Sequence, residues 1–144
     1  MDSAYEIQRV IALYGQLLDD LRLAEWGELF TDDAVWSLPT VSFQGRAEIV
    51  KGVGAMEPKE RGHIKHIAFT PIIEFETEHR AYAWTDLLAL AKSEQGAWAT
   101  VAAGRYYDTL ELLHGRWRFK VRICDVEWDG ARFDIAKLRR PPSV

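Results

Sequence analysis

An α+β fold is predicted for this chain, with N-terminal helices packed in a strongly curved, mostly antiparallel sheet that wraps them as an open-mouthed cone. Three observations predict it. Apolar residues recur at helical spacing from Ala4 to Leu21, long extended segments follow one another from Ile64 onward, and turn-like breaks between those segments suit an antiparallel meander.

The first helix rests on Ala4, Ile7, Ile11, Tyr14, Leu18 and Leu21, with Val10 and Leu17 widening the stripe. Ser3 and Glu6 have the spacing of a capping box at its start. A second amphipathic turn carries Leu23, Trp26, Leu29 and Phe30, after which Asp32 and Asp33 lead into a short strand over 34–38 that Pro39 ends. Residues 47–53 have the pattern of a third helix, weakened by the nearby Gly52 and Gly54, and 58–62 reads as a polar loop. The extended segments run over 64–76, 80–92, 97–112 and 116–128, separated by breaks at 77–79, 93–96 and His114-Gly115. They are long for strands, so the sheet must twist and bend. The closing RRPPSV is expected to fray or to lie on the surface.

At 144 residues the chain is expected to form one domain, 1–144, large enough to bury most of its apolar surface. A formal charge of −4 argues against nucleic acid, because phosphate binding needs a basic field that Arg139 and Arg140 are too few to supply. A single cysteine, Cys124, excludes an internal disulfide, and MDSAYEIQ lacks the basic and apolar regions of a signal peptide. The expected setting is a reducing cytoplasm. No apolar run approaches the roughly 20 residues that span a bilayer, so no membrane partner is expected.

Two residues carry the chemistry. His66 opens the apolar stretch KHIAFTPIIEF, and Asp19 closes the first helix within YGQLLDDLRLAEWGELFTDDAVW. An imidazole among apolar neighbours is costly to bury unless something hydrogen-bonds it, and an acid on a neighbouring helix is a natural partner. A carboxylate–histidine dyad in a hollow domain means proton transfer: the carboxylate fixes the tautomer, and the other ring nitrogen serves as a base. The residues alone leave open a core histidine that merely satisfies its hydrogen bonds. They also leave open Asp20, which flanks the apolar stripe at an angle similar to that of Asp19. A phenol from Tyr14 or Tyr106 could polarise a substrate oxygen, and Arg105 or Arg122 could stabilise an oxyanion.

Six Trp, five Tyr and six Phe are generous for this length. Trp36, Trp84, Tyr82, Tyr106 and Tyr107 lie on segments that could line a cavity, plain core packing being the alternative for each. His63 and His66 fall on opposite faces of a strand with no third ligand nearby, so no metal is expected. Gly52-Val53-Gly54 lacks the preceding strand of a dinucleotide site, and no cofactor is expected. Cys124 has no activating partner and reads as a small buried hydrophobe.

Three stretches, LLDDLRLAEWGELFTDDAVW, KHIAFTPIIEF and GRYYDTLELLHGRWRF, resemble the SnoaL-like branch of the nuclear-transport-factor-two-like superfamily over essentially the whole chain. The first also resembles the small subunits of aromatic-ring-hydroxylating dioxygenases. The order of all three is similar to that in scytalone dehydratases and hexachlorocyclohexane dehydrochlorinases. The resemblance implies a cone-shaped α+β barrel and, in enzymatic members, lyase or isomerase chemistry with no metal or organic cofactor. It places the helix-borne acid on Asp19 and the strand-borne base on His66, with a further polar contact near Tyr106 and a cation facing the cavity at Arg122. Where many relatives carry an asparagine after the histidine this chain has Thr70, which with Phe69 is expected to touch substrate.

The function expected is thus that of a cofactor-independent lyase or isomerase acting on a small apolar, aromatic or polycyclic molecule, eliminating water or a small carbonyl fragment. The alternative is a non-catalytic ligand carrier or an assembly subunit like the dioxygenase small subunit. Apolar residues on the last two segments, Leu110, Leu112, Ile123 and Trp128, are expected to be exposed and to join copies of the chain as a homodimer or homotrimer.

Overall fold

Ile7, Ile11, Tyr14, Leu17 and Leu18 share one side of helix α1 (Ser3–Asp19), and all of them are buried. The structure, a computed structural model, describes residues 2–127 and 130–144. Helix α1 is followed by the short α2 (Leu23–Gly27), strands β1 (Phe30–Leu38) and β2 (Val41–Gln44), and helix α3 (Arg46–Met56). Strands β3 (Ile64–Ala68), β4 (Ile72–Thr77), β5 (Arg80–Lys92), β6 (Trp98–Leu113) and β7 (Arg116–Glu127) complete the sheet. Its order is β2-β1-β7-β6-β5-β3, with β4 pairing the other half of β5. Only the β1–β7 pairing is parallel among the described residues. The sheet curls around α1 without closing, and this is the α+β cone that the sequence predicts.

Several boundaries differ from expectation, each for a local reason. The cap of α1 is Asp2, whose carboxylate accepts from the Ala4 amide at 3.0 Å; Ser3 is already helical, so the Ser3–Glu6 capping box does not form. The helix stops because Leu21 takes a left-handed conformation, φ 57°. The segment 64–76 is two strands and not one, since Pro71 has no amide to donate and holds Thr70 extended. β1 starts at Phe30, with an irregularity in its pairing to β7 between Phe30 and Val35, and folds back through Pro39-Thr40 into β2, a strand that the sequence pattern did not show.

Strand alternation decides which side chains enter the cone. On β5 the residues facing inward are Ala81, Ala83, Thr85, Leu87 and Ala89, and on β6 Ala102, Tyr106, Asp108 and Leu110. On β7 a register shift at Lys120 lets Trp117 and Phe119 face inward on one side of it and Arg122, Cys124 and Val126 on the other. The outer face of the same strands is covered by the C-terminal segment. Asp125 accepts from the Phe133 amide, Leu138 packs against Trp84 and Tyr107, and the Trp84 indole donates to the Arg139 carbonyl at 2.7 Å. The tail therefore lies on the surface, pinned there.

That arrangement overturns the expected contact face. Leu110 is fully buried in the core, Leu112 is half-buried against it, and Ile123 packs under the tail with Trp84 and Tyr107. Trp128 lies outside the described residues. Exposed apolar side chains on the sheet include Ile67, Trp98 and Val101, at the end away from Leu110 and Leu112.

Where β6 and β7 bend together, a Cβ on Gly104 would sit 2.1 Å from the Asp125 carbonyl oxygen and 2.7 Å from the Val126 Cα. Both are backbone atoms of a paired strand and cannot step aside. Gly104→Ala is therefore expected to destabilise the fold by about 3 kcal/mol or more, the upper range for overpacking, read as a fall in the midpoint of urea unfolding at unchanged slope.

Candidate active site

Gly15 determines how closely α1 approaches the sheet. A Cβ there would lie 2.9 Å from the His66 carbonyl oxygen and 3.3 Å from the His66 Cβ, so only glycine lets the helix touch β3 at this level. One turn later, the last residue of the helix reaches the same histidine. Asp19 Oδ1 lies 2.6 Å from His66 Nδ1, and the His66 backbone amide donates to Asp19 Oδ2 at 3.0 Å and to Oδ1 at 3.3 Å. Asp20, the residue that geometry on a helical wheel could not distinguish, is exposed and caps the helix.

The two side chains are largely withdrawn from water, at 5% exposure for Asp19 and 17% for His66. A neutral ring in this setting carries its proton on Nδ1, donated to the carboxylate, and leaves the Nε2 lone pair free. His66 forms part of the wall of a cavity of about 340 Å³. The pair is thus an imidazole held in one orientation, with Asp19 behind it.

The inner end of the cavity is aromatic. The Trp36 indole donates to the Tyr14 hydroxyl at 2.9 Å, and the Tyr14 and Tyr106 rings meet edge to face at 5.5 Å. Tyr14, Trp36 and Tyr106 all line the cavity. Burial pushes both phenols above the usual tyrosine range, with the nearby Arg122 charge opposing, so both hydroxyls stay protonated and able to donate. Burial likewise pushes the Cys124 thiol, also on the wall, up to about 12, which keeps it un-ionised and inert.

Arg122 is placed differently from the expectation. It does not line the cavity, since two of its nitrogens donate in parallel to Asp108 at 2.8 and 2.7 Å and both side chains are completely buried. Its guanidinium carbon lies 4.1, 3.8 and 4.1 Å from the ring centroids of Tyr14, Tyr106 and Phe119. A cation clasped by three rings acts on the cavity through Tyr14 and Tyr106 and not by contact. Arg105, the other candidate, is on the outer face, paired with Asp86 at 2.6 Å.

Of the other expected contacts, Trp84, Tyr82 and Tyr107 point outward, because Ala83 and Thr85 occupy the inward positions beside the first two on β5, and Tyr106 and Asp108 those beside Tyr107 on β6. Tyr82 lies beneath the Arg139 guanidinium and donates to Glu76. Phe69 and Thr70 are exposed in the break between β3 and β4, and neither lines the cavity. Three wall residues of polar or reactive type thus come from the expected set, His66, Tyr14 and Tyr106, with Trp36 beside them. Sequence reasoning missed Glu57, which follows α3 and lines the same cavity. It missed Gly15 as well. A glycine inside an apolar helical stripe, one turn before the candidate acid, was the signal that could have found it.

Known proteins resemble the chain in fold and in sequence pattern. A model of the SnoaL-like domain matches residues 1–123. A solved structure from Novosphingobium aromaticivorans, provisionally named a scytalone dehydratase, is 26% identical over 85% of this chain and 83% of that one, with a TM-score of 0.75. The β subunit of a provisionally named aromatic-ring-hydroxylating dioxygenase from the same organism is 23% identical, covering 85% and 87% with a TM-score of 0.73. A protein of unknown function from Mycobacterium tuberculosis is 20% identical, covering 85% and 70% with a TM-score of 0.77. The latter two show a shared fold alone. No curated protein matches the chain in sequence.

The raised phenols give a direct test. Folded wild type and folded Tyr106→Phe are expected to show the same phenolate absorbance rise up to about pH 11, a unit above the ordinary tyrosine value. Once unfolded in guanidinium the two should differ by one tyrosine equivalent; a difference already present in the folded proteins would show that Tyr106 ionises in place.

Proposed function

The chain belongs to the SnoaL-like domain family, and from that premise we propose that it is a cofactor-independent lyase or isomerase that moves a proton on a small apolar, aromatic or polycyclic molecule. The observation that carries the reading is the contact between Asp19 and His66 at the wall of a mostly apolar cavity. Neutral His66 takes a proton from a carbon next to a carbonyl through Nε2, while Asp19 keeps the ring oriented and stabilises the imidazolium that forms. The C–H electron pair moves toward the carbonyl oxygen, which accepts a hydrogen bond from the Tyr106 hydroxyl; Tyr14 is the second phenol within the same pocket. Expulsion of hydroxide from the neighbouring carbon, protonated to water as it leaves, gives a dehydratase, and return of the proton at another carbon gives an isomerase; removal of a β-hydroxyl proton by the same imidazole instead breaks the bond between the two carbons and releases a carbonyl fragment.

The dioxygenase β subunit that shares the fold supports a second reading, a ligand carrier or assembly subunit. Against it stands the cost of holding a carboxylate at 5% exposure against an imidazole, which a scaffold does not need. Homo-oligomerisation belongs to the main proposal, with Ile67, Trp98 and Val101 as the contact surface in place of the buried Leu110. Light scattering at micromolar concentration should give a dimer or trimer, and Val101→Glu should lower the measured mass; a monomeric wild type would reject the assembly.

The chemistry can be tested before a natural substrate is found. Apolar cyclic ketones such as 2-tetralone, incubated in D₂O, should exchange their α-protons faster with the protein than without it. His66→Ala should lower the catalysed rate by about 10²-fold or more, the usual contribution of a positioned base, with thermal stability retained. Asp19→Asn should lower it as well. Ketones that quench tryptophan fluorescence on binding yet do not exchange are the result expected of a carrier.

A further inference from the structure

Asp19 cannot carry away a proton that His66 acquires. Both of its oxygens accept from His66 itself, Oδ1 from the ring and the backbone amide and Oδ2 from that amide, and the side chain is sealed from water. An imidazolium that does not return its proton to the substrate therefore needs another exit. Among the described residues the cavity wall holds a single carboxylate, that of Glu57.

The position of Glu57 follows from its neighbours in sequence. It caps the C-terminus of α3 in an extended conformation, φ −77° and ψ 153°, which the following Pro58 enforces. The side chain lies on the cavity beside Met56, half-buried, and forms no hydrogen bond or ion pair with any other described residue. Thr40 and Met56, both exposed, mark this part of the wall as the mouth, whereas Tyr14, Tyr106 and Cys124 lie at the buried end. The titratable groups facing the cavity with Glu57 are Tyr14 from α1, His66 from β3, Tyr106 from β6 and Cys124 from β7, and Asp19 stands behind His66. The charges of His66 and Asp19 both act on the Glu57 carboxyl.

We propose that Glu57 is the second proton-transfer group of the cavity, relaying the proton between His66 Nε2 and water at the mouth. The proposal rests on the reading of His66 as the base. The balance is simple: the substrate C–H bond breaks and an N–H bond forms at Nε2, then that N–H bond breaks and an O–H bond forms on Glu57, directly or through a cavity water. Glu57 next releases the proton to solvent and the imidazole is neutral again. Burial, the larger influence, and the Asp19 charge raise the Glu57 carboxyl above its ordinary range, while His66 opposes them. That brings it nearer to the range in which imidazoles titrate, where transfer between the two groups is least uphill.

The experiment follows α-proton exchange of 2-tetralone in D₂O by NMR in wild type, Glu57→Gln, Glu57→Ala and His66→Ala, with thermal unfolding of each. Glu57→Gln is expected to lower exchange about tenfold or more at unchanged ketone affinity and stability. Glu57→Ala should be lowered similarly and recover with added formate along a saturating curve, whereas His66→Ala should not respond to formate. A purely structural glutamate would give no such recovery. Exchange that depends on His66 but is unaltered in Glu57→Gln overturns the relay and leaves the base in place; slow exchange in Glu57→Ala that formate does not restore also overturns it. Absence of exchange in wild type overturns both.

Discussion

The approach of α1 to β3 is the constraint on which the site depends. Gly15 permits it, at a helix-propensity cost of about 1 kcal/mol relative to alanine, and the Asp19 carboxylate completes it by binding the backbone and the ring of one histidine. Because the helix is anchored to the edge strand in this way, its buried face is fixed relative to the rest of the sheet. Tyr14, one residue before Gly15, is then held against Trp36 on β1 and Tyr106 on β6. A single close contact thus sets the distance between imidazole, phenols and indole.

The inner end of the cone is built around a buried charge. The Arg122–Asp108 pair has no exposure, and a pair of this kind gains little net stability over apolar packing because both ions lose their water. Losing one partner would be far worse, on the order of 3–5 kcal/mol. The aromatic clasp softens the desolvation by presenting three ring faces to the guanidinium. Its Nη1 still lacks a hydrogen-bond partner among the described residues. The charge is tolerated directly behind two phenols that line the cavity, where it favours any negative charge developing on an oxygen bound to them.

The walls divide by chemistry along the same line. The buried end carries neutral hydroxyls, the β3 edge an imidazole, and the mouth a carboxylate. Apolar residues such as Leu18, Leu87 and Val126 fill the space between them, which strengthens each polar contact by excluding water. On the outside of the sheet the C-terminal segment, tied to Asp125 and Trp84, covers apolar surface that would otherwise be open.

Periodicity made the architecture legible. The helical stripe through Ile7, Ile11, Tyr14 and Leu18 and the long extended runs after Ile64 specify helices within a curved sheet, because side-chain spacing follows local backbone geometry. The pairing of Asp19 with His66 was also suggested by residue type, since a buried imidazole needs a partner. What local pattern could not supply was orientation. Trp84 and Tyr82 look as suitable for a cavity as Trp36, and the register of β5 turns them outward; Leu110 looks exposed, and the register of β6 turns it inward. The choice between Asp19 and Asp20, the withdrawal of Arg122 behind its rings, and the arrival of Glu57 on the wall from the end of α3 likewise depend on how separate elements approach in space. Those distances are set by glycine contacts, register shifts and a proline break acting across the sheet, and only the tertiary structure brings such distant residues to one place.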